Sequence, residues 1–65
     1  MPEVQVFLAE GRTDEQKKGM MLDITHALVK NLGVASGDVI VQIVEAKLTN
    51  KMKGGQTFVE RLAKK

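Results

Sequence analysis

Two short segments of this chain are apolar on both faces, and one helix separates them. That arrangement constrains the fold more than any other feature. Residues 39–45, VIVQIVE, are almost continuously β-branched. Such a run is the pattern of a parallel strand covered on both sides. Residues 3–9, EVQVFLA, set Val4, Val6 and Leu8 on one face and Gln5, Phe7 and Ala9 on the other. Strand, helix and strand with short connections make one βαβ unit, right-handed by the usual crossover rule. The whole chain has only 65 residues, so it forms one domain over 1–65. At that size apolar burial and lost conformational entropy nearly cancel. The chain has no Cys for a disulfide, and a single His without Cys makes a structural zinc implausible. Oligomerisation is the remaining common source of stability.

The helix between the strands is marked at both ends. Thr13-Asp14-Glu15-Gln16 is a capping box: the Thr13 hydroxyl can accept from the Gln16 N–H while Gln16 reaches back. Asp14 and Glu15 lie where the helix dipole favours negative charge. Gly33 suits the left-handed position that ends a helix, so the helix spans about residues 14 to 32. Met20, Met21, Ile24, Ala27, Leu28 and Leu32 fall on one broad arc, and Gly19, Asp23, His26 and Lys30 on the other. Leu22 and Val29 lie beyond the main stripe, as a wide core face or as a surface against another subunit. Residues 34–38 are turn material. From Ala46 the chain turns basic and loop-like, and Gly54-Gly55 suggests a hairpin with strands near 51–53 and 56–59. ERLAKK ends the chain as a helical turn or a frayed tail.

Composition removes several classes of function. No apolar run is long enough to span a bilayer, and MPEVQVF lacks the basic and apolar regions of a signal peptide. A soluble cytoplasmic protein, without membrane contact, is the expectation. The isoelectric point near 9.2 rests on 10 Lys and Arg against 8 Asp and Glu, a small excess. With two Phe, no Tyr and no Trp there is little on which a base could stack, so nucleic acid is not an expected partner. His26 reads as a solvated helix residue, and Ser36 has no His near it in sequence.

One position carries unusual chemistry. Pro2 follows the initiator methionine, which is normally trimmed before a small residue. Trimming leaves Pro2 with a free secondary amine. An α-amine titrates near ~7.7–8.0, and apolar walls or a nearby cation lower that further. A base poised near neutrality and fixed by a ring suits proton abstraction beside a carbonyl. On position alone, a proline after Met1 is most often without such a role.

The run PEVQVFLAEGRTDEQKK, residues 2–18, resembles the start of the 4-oxalocrotonate tautomerase family. Pro2, Glu10-Gly11-Arg12 and Thr13 to Lys17 are in register with it. The likeness continues through the helix, the V-x-V-x-I-x-E strand and Gly54-Gly55. The resemblance implies an α+β fold: a tautomerase-like β-α-β unit with parallel strands, a short C-terminal β-hairpin, and assembly as a hexamer built as a trimer of dimers. It implies an isomerase that ketonises a 2-hydroxydienoate such as 2-hydroxymuconate, an enol acid of aromatic catabolism. Pro2 is then the general acid/base, and Arg12 the guanidinium that binds the far carboxylate and draws electron density toward it. No metal and no organic cofactor is expected.

Two positions depart from the family pattern. Ile40 stands where the family has a second active-site arginine, and Lys51 where it has an aromatic wall. Losing one preorganised donor commonly costs about 10²–10³ in rate. Lys51 restores charge but not a bidentate grip; Lys47 and Lys53 are further candidate cations. Ile40 and Lys51 therefore join Pro2 and Arg12 as candidate substrate-facing residues. Three alternatives remain. The chain is one subunit of a heterohexamer whose partner supplies what is missing, or it runs a related proline-based dehalogenation or decarboxylation. The third is a non-enzymatic anion-binding or nucleic-acid-binding oligomer using Lys47, Lys51, Lys53, Lys64 and Lys65.

Overall fold

A computed structural model describes residues 2–63. The trimming of Met1, and Lys64 and Lys65 of the basic cluster, lie outside the described residues. Strand β1 (Glu3–Ala9) leads through a short turn into helix α1 (Asp14–Leu32), and strand β2 follows (Ile40–Ala46). β1 and β2 pair in parallel, from Glu3 opposite Ile40 to Ala9 opposite Ala46. Two-residue strands β3 (Met52–Lys53) and β4 (Gln56–Thr57) form an antiparallel hairpin, and helix α2 (Phe58–Ala63) closes the described chain. The β-α-β unit and the C-terminal hairpin match the expected α+β fold.

Both predicted ends of α1 are present. Thr13 Oγ1 accepts from the Gln16 N–H at 3.1 Å, and Gln16 Oε1 accepts from the Thr13 N–H at 3.0 Å. Gly33 ends the helix at φ 70°, a left-handed conformation open to glycine at little cost, and its N–H donates to the Val29 carbonyl. Lys17 ties the first turn of α1 to the end of β2. Its Nζ lies 3.2 Å from Glu45 Oε1 and 3.6 Å from Asp14 Oδ1. The hydrogen bond to Glu45 is the main cause holding the Lys17 ammonium above the ordinary lysine range.

The inner face of the sheet is made by Val4, Val6, Leu8, Val41 and Ile43, all half-buried. Met20, Met21, Ile24, Leu28 and Val29 are the half-buried apolar residues of α1. Two residues expected on that stripe are exposed. Leu32 is 58% exposed because the helix, about 28 Å long, outruns strands of about 23 Å. Ala27 sits one position off the seam, and Val29, assigned outside the main stripe, lies in it.

Other boundaries also move. β2 starts at Ile40 rather than Val39, because the Val39 N–H is spent closing a 3-10 turn on Ser36. The predicted strand 56–59 stops at Thr57, and Phe58 and Val59 enter α2 instead. The cause is a second capping pair. Thr57 N–H donates to Glu60 Oε1 at 2.8 Å, and Glu60 N–H donates to Thr57 Oγ1 at 3.2 Å.

The opposite face of the sheet has no layer over it. Phe7 is 66% exposed, beside Val44 at 37%, and Ile40 is 43% exposed. No described residue is fully buried. The radius of gyration is 15.1 Å, against about 11 Å for a compact chain of this length. The fold is open along the face that the sequence pattern marks for burial.

Candidate active site

The four residues singled out by sequence divide between the two ends of the parallel pair. Pro2 and Ile40 meet at one end: the Ile40 N–H donates to the Pro2 carbonyl at 3.0 Å. That bond extends the ladder one step beyond Glu3 and anchors the backbone of the half-buried Pro2 at the head of β1. The contact between them is through the backbone: the Ile40 side chain lies on the open outer face with Glu3 and Phe7, and it has no donor to offer a substrate.

Arg12 lies beyond the other end of β1. The eight residue-to-residue steps of extended chain from Pro2 to Glu10 span roughly 26 Å. Within one chain Pro2 and Arg12 therefore cannot grip the same small molecule. Arg12 joins no ion pair among the described residues, which leaves its guanidinium available to an anion. It stands between two cavities. One, of about 310 Å³, is lined by Leu8, Arg12, Gln16, Lys17 and Met20. The other, of about 400 Å³, lies between Arg12 and the C-terminal segment, with Leu8, Leu48, Phe58 and Leu62 as apolar walls.

Glu10 builds the second cavity. Its N–H donates to the Ala46 carbonyl at 2.9 Å, and its Oε2 accepts from the Leu48 N–H at 2.9 Å. Both bonds hold the segment after β2 against the turn that carries Arg12. Lys51 stands at the same end. Its Nζ lies 5.8 Å from the centre of the Phe58 ring, within cation–π range, and its carbonyl accepts the Phe58 N–H at 2.8 Å. The exposed Lys47 and Lys53 are not among the cavity's lining residues. His26 and Asp23 are exposed on α1.

Glu10, Leu48, Phe58 and Leu62 were not chosen as site residues from sequence. Thr57-x-x-Glu60 was the available signal. It has the spacing of the capping box at Thr13, and it places a helix, with Phe58 as its first residue, where an extended strand was expected.

Comparison with known proteins places the fold in a family. A family model described as tautomerase enzyme matches residues 2–50. A probable tautomerase of Bradyrhizobium diazoefficiens is 70% identical over 63 residues, covering 97% of this chain and 94% of the relative. Among solved structures, a chain of the 4-oxalocrotonate tautomerase isozymes of Methylibium petroleiphilum superposes with a TM-score of 0.88 at 38% identity. That match covers 98% of this chain and all of the other. A chain of the heterohexamer 4-oxalocrotonate tautomerase of Chloroflexus aurantiacus superposes at 0.84 with 27% identity, covering 92% and 97%. The chain belongs to the tautomerase family and is an isomerase of the 4-oxalocrotonate tautomerase type of fold. No helix among the described residues is long and apolar enough to cross a membrane.

Proposed function

We propose that this enzyme ketonises a 2-hydroxydienoate or a related enol acid, with the Pro2 nitrogen as the group that moves the proton. The observation that carries the reading is the Ile40–Pro2 hydrogen bond, which ties the Pro2 carbonyl into the end of the parallel ladder. With Met1 removed, the ring nitrogen is a secondary amine, a class of base that titrates near ~7.7–8.0. It takes the proton of the 2-hydroxyl. The O–H bonding pair becomes the ketone π bond, the first double bond shifts one place along the chain, and the distal double bond takes up a proton beside the far carboxylate. Pro2 returns the same proton there, so the atoms balance with no cofactor. Arg12 holds the far carboxylate and stabilises charge drawn toward it. Ile40 lines the Pro2 side, and Lys51 adds positive charge on the Arg12 side.

The separation of Pro2 from Arg12 along β1 means that each site joins Pro2 of one copy to Arg12 of another. The open sheet face and the absence of a buried core fit the same assembly. We take it to be a hexamer, in keeping with the hexameric relative from Chloroflexus aurantiacus. That relative is a heterohexamer, and Ile40 at the arginine position favours keeping a mixed assembly as the second reading.

The test follows ultraviolet absorbance during ketonisation of 2-hydroxymuconate and phenylenolpyruvate. Trimmed protein, its mass confirmed, is compared with Pro2→Ala. Turnover that collapses by about 10²-fold or more in the variant supports the Pro2 base. Equal turnover by both proteins overturns it. Activity that appears only on co-expression with a second tautomerase chain favours the mixed assembly.

A further inference from the structure

We propose that Phe58 is a specificity-determining wall of the Arg12 cavity, selecting carboxylates that carry a flat apolar group next to the carboxylate. The proposal deepens the function above, since it describes what the Arg12 end of that site accepts. The argument begins with the lining of the 400 Å³ cavity. Arg12 supplies its guanidinium, and Leu8, Leu48, Leu62 and Phe58 supply most of the remaining wall. A guanidinium beside apolar walls fits an anion whose charge is confined to one end.

Glu10 sharpens the choice. Its carboxylate lines the same cavity and is held there by the Leu48 N–H at 2.9 Å. A ligand with a second charge two carbons from the first would meet that carboxylate or the leucines. Either encounter is unfavourable, through like-charge repulsion or through desolvation without a partner. A vinyl or aryl group in that place incurs neither cost.

Phe58 is set up to receive such a group. It is the first residue of α2, so the Thr57–Glu60 capping pair fixes its backbone. Its N–H is tied to the Lys51 carbonyl, and the Lys51 ammonium lies over its ring at 5.8 Å. Lys51 is not among the residues lining the cavity, so it holds the ring from outside. A cation near the ring offsets its negative quadrupole, which makes the ring a better neighbour for an electron-rich, conjugated carboxylate.

The experiment measures binding rather than turnover, so that it does not depend on proton transfer at Pro2. Isothermal titration of the full assembled protein compares cinnamate with fumarate. These share a planar propenoate and differ in phenyl against carboxylate at the far carbon. Wild-type protein is expected to bind cinnamate about tenfold more tightly than fumarate or better. Phe58→Leu keeps apolar bulk but removes the flat ring, and it is expected to cut that ratio about fivefold. Phe58→Ala repeats the test if the leucine repacks the site. Arg12→Ala is expected to weaken both ligands alike. Fumarate binding as tightly as cinnamate, or a ratio unchanged in both Phe58 variants, overturns the proposal. A preserved preference in protein that ketonises neither enol acid supports the cavity assignment while sinking the Pro2 reaction. A lost preference with turnover intact does the reverse.

Discussion

At the scale of single residues, position 40 separates this chain from the arginine-bearing pattern of the family that it resembles. Ile40 is joined to Pro2 through the backbone and is 43% exposed on the open sheet face. An aliphatic side chain there offers nothing to an oxygen atom that gains charge during the reaction. Ile40→Arg supplies what is missing. The guanidinium adds a donor for the keto-acid end of the substrate, and a positive charge brought near the Pro2 amine disfavours its protonated form. The expected outcome is a rise in kcat of about tenfold or more toward 2-hydroxymuconate, since one preorganised donor is commonly worth about 10²–10³. Steady-state kinetics of the variant checks it, and an unchanged or lower kcat removes Ile40 from the substrate-facing set. The pH–rate profile adds a second readout: its lower limb should move to lower pH in the arginine variant.

At the scale of elements, legibility followed the local signals. α1 was readable to the residue because both its ends depend on side chains adjacent in sequence, Thr13 with Gln16 and Gly33 with Val29. The pairing of β1 and β2 followed from their doubly apolar pattern. The start of β2 was misplaced by one residue because Val39 suits a strand by type but is held by a hydrogen bond to Ser36. The C-terminal segment was misread for a related reason. Phe58 and Val59 are good strand residues, and their preference loses to the cap formed by Thr57 and Glu60. Half of the Arg12 cavity was hidden by that misreading. The cap also makes α2 sensitive to acid. Hydrogen bonds from the Thr57 backbone and side chain hold the Glu60 carboxyl below the usual carboxylate range. A carboxyl depressed in the folded state stabilises it above the unfolded pKa, and that contribution disappears as pH falls through the folded value. The α2 helix should therefore loosen at the low end of the carboxylate range, well before the strand pairing is lost. Cα chemical shifts of Arg61 and Leu62 followed by NMR through an acid titration check this. In Glu60→Gln the same shifts should stay level over that range.

At the scale of the molecule, two facts point the same way. The chain has an uncovered apolar sheet face, with Phe7 beside Val44, and no fully buried described residue. Its proposed base and its proposed carboxylate clamp stand at opposite ends of a seven-residue strand. In the proposed assembly a covered face supplies the burial that a chain of this size lacks, and another copy's Arg12 completes the site at Pro2. Stability and activity then share one cause, and subunit mixing separates it from a site within one chain. Pro2→Ala and Arg12→Ala are each expected to be nearly inactive as pure assemblies. Unfolding them together in equal amounts and refolding should restore activity. A site that draws its two residues from different copies receives both native residues in about a quarter of random combinations. Activity of the mixture near a quarter of wild type, measured per site after native mass spectrometry confirms mixed assemblies, is the expected result. If both residues came from one chain, every site in the mixture would lack one of them, and the mixed assemblies would remain as inactive as the two parents. The sheet face offers an independent check of the same coupling. A charge at its centre, Phe7→Glu, should lower the assembly state and the activity together, because a chain without a closed core cannot keep one after losing the other.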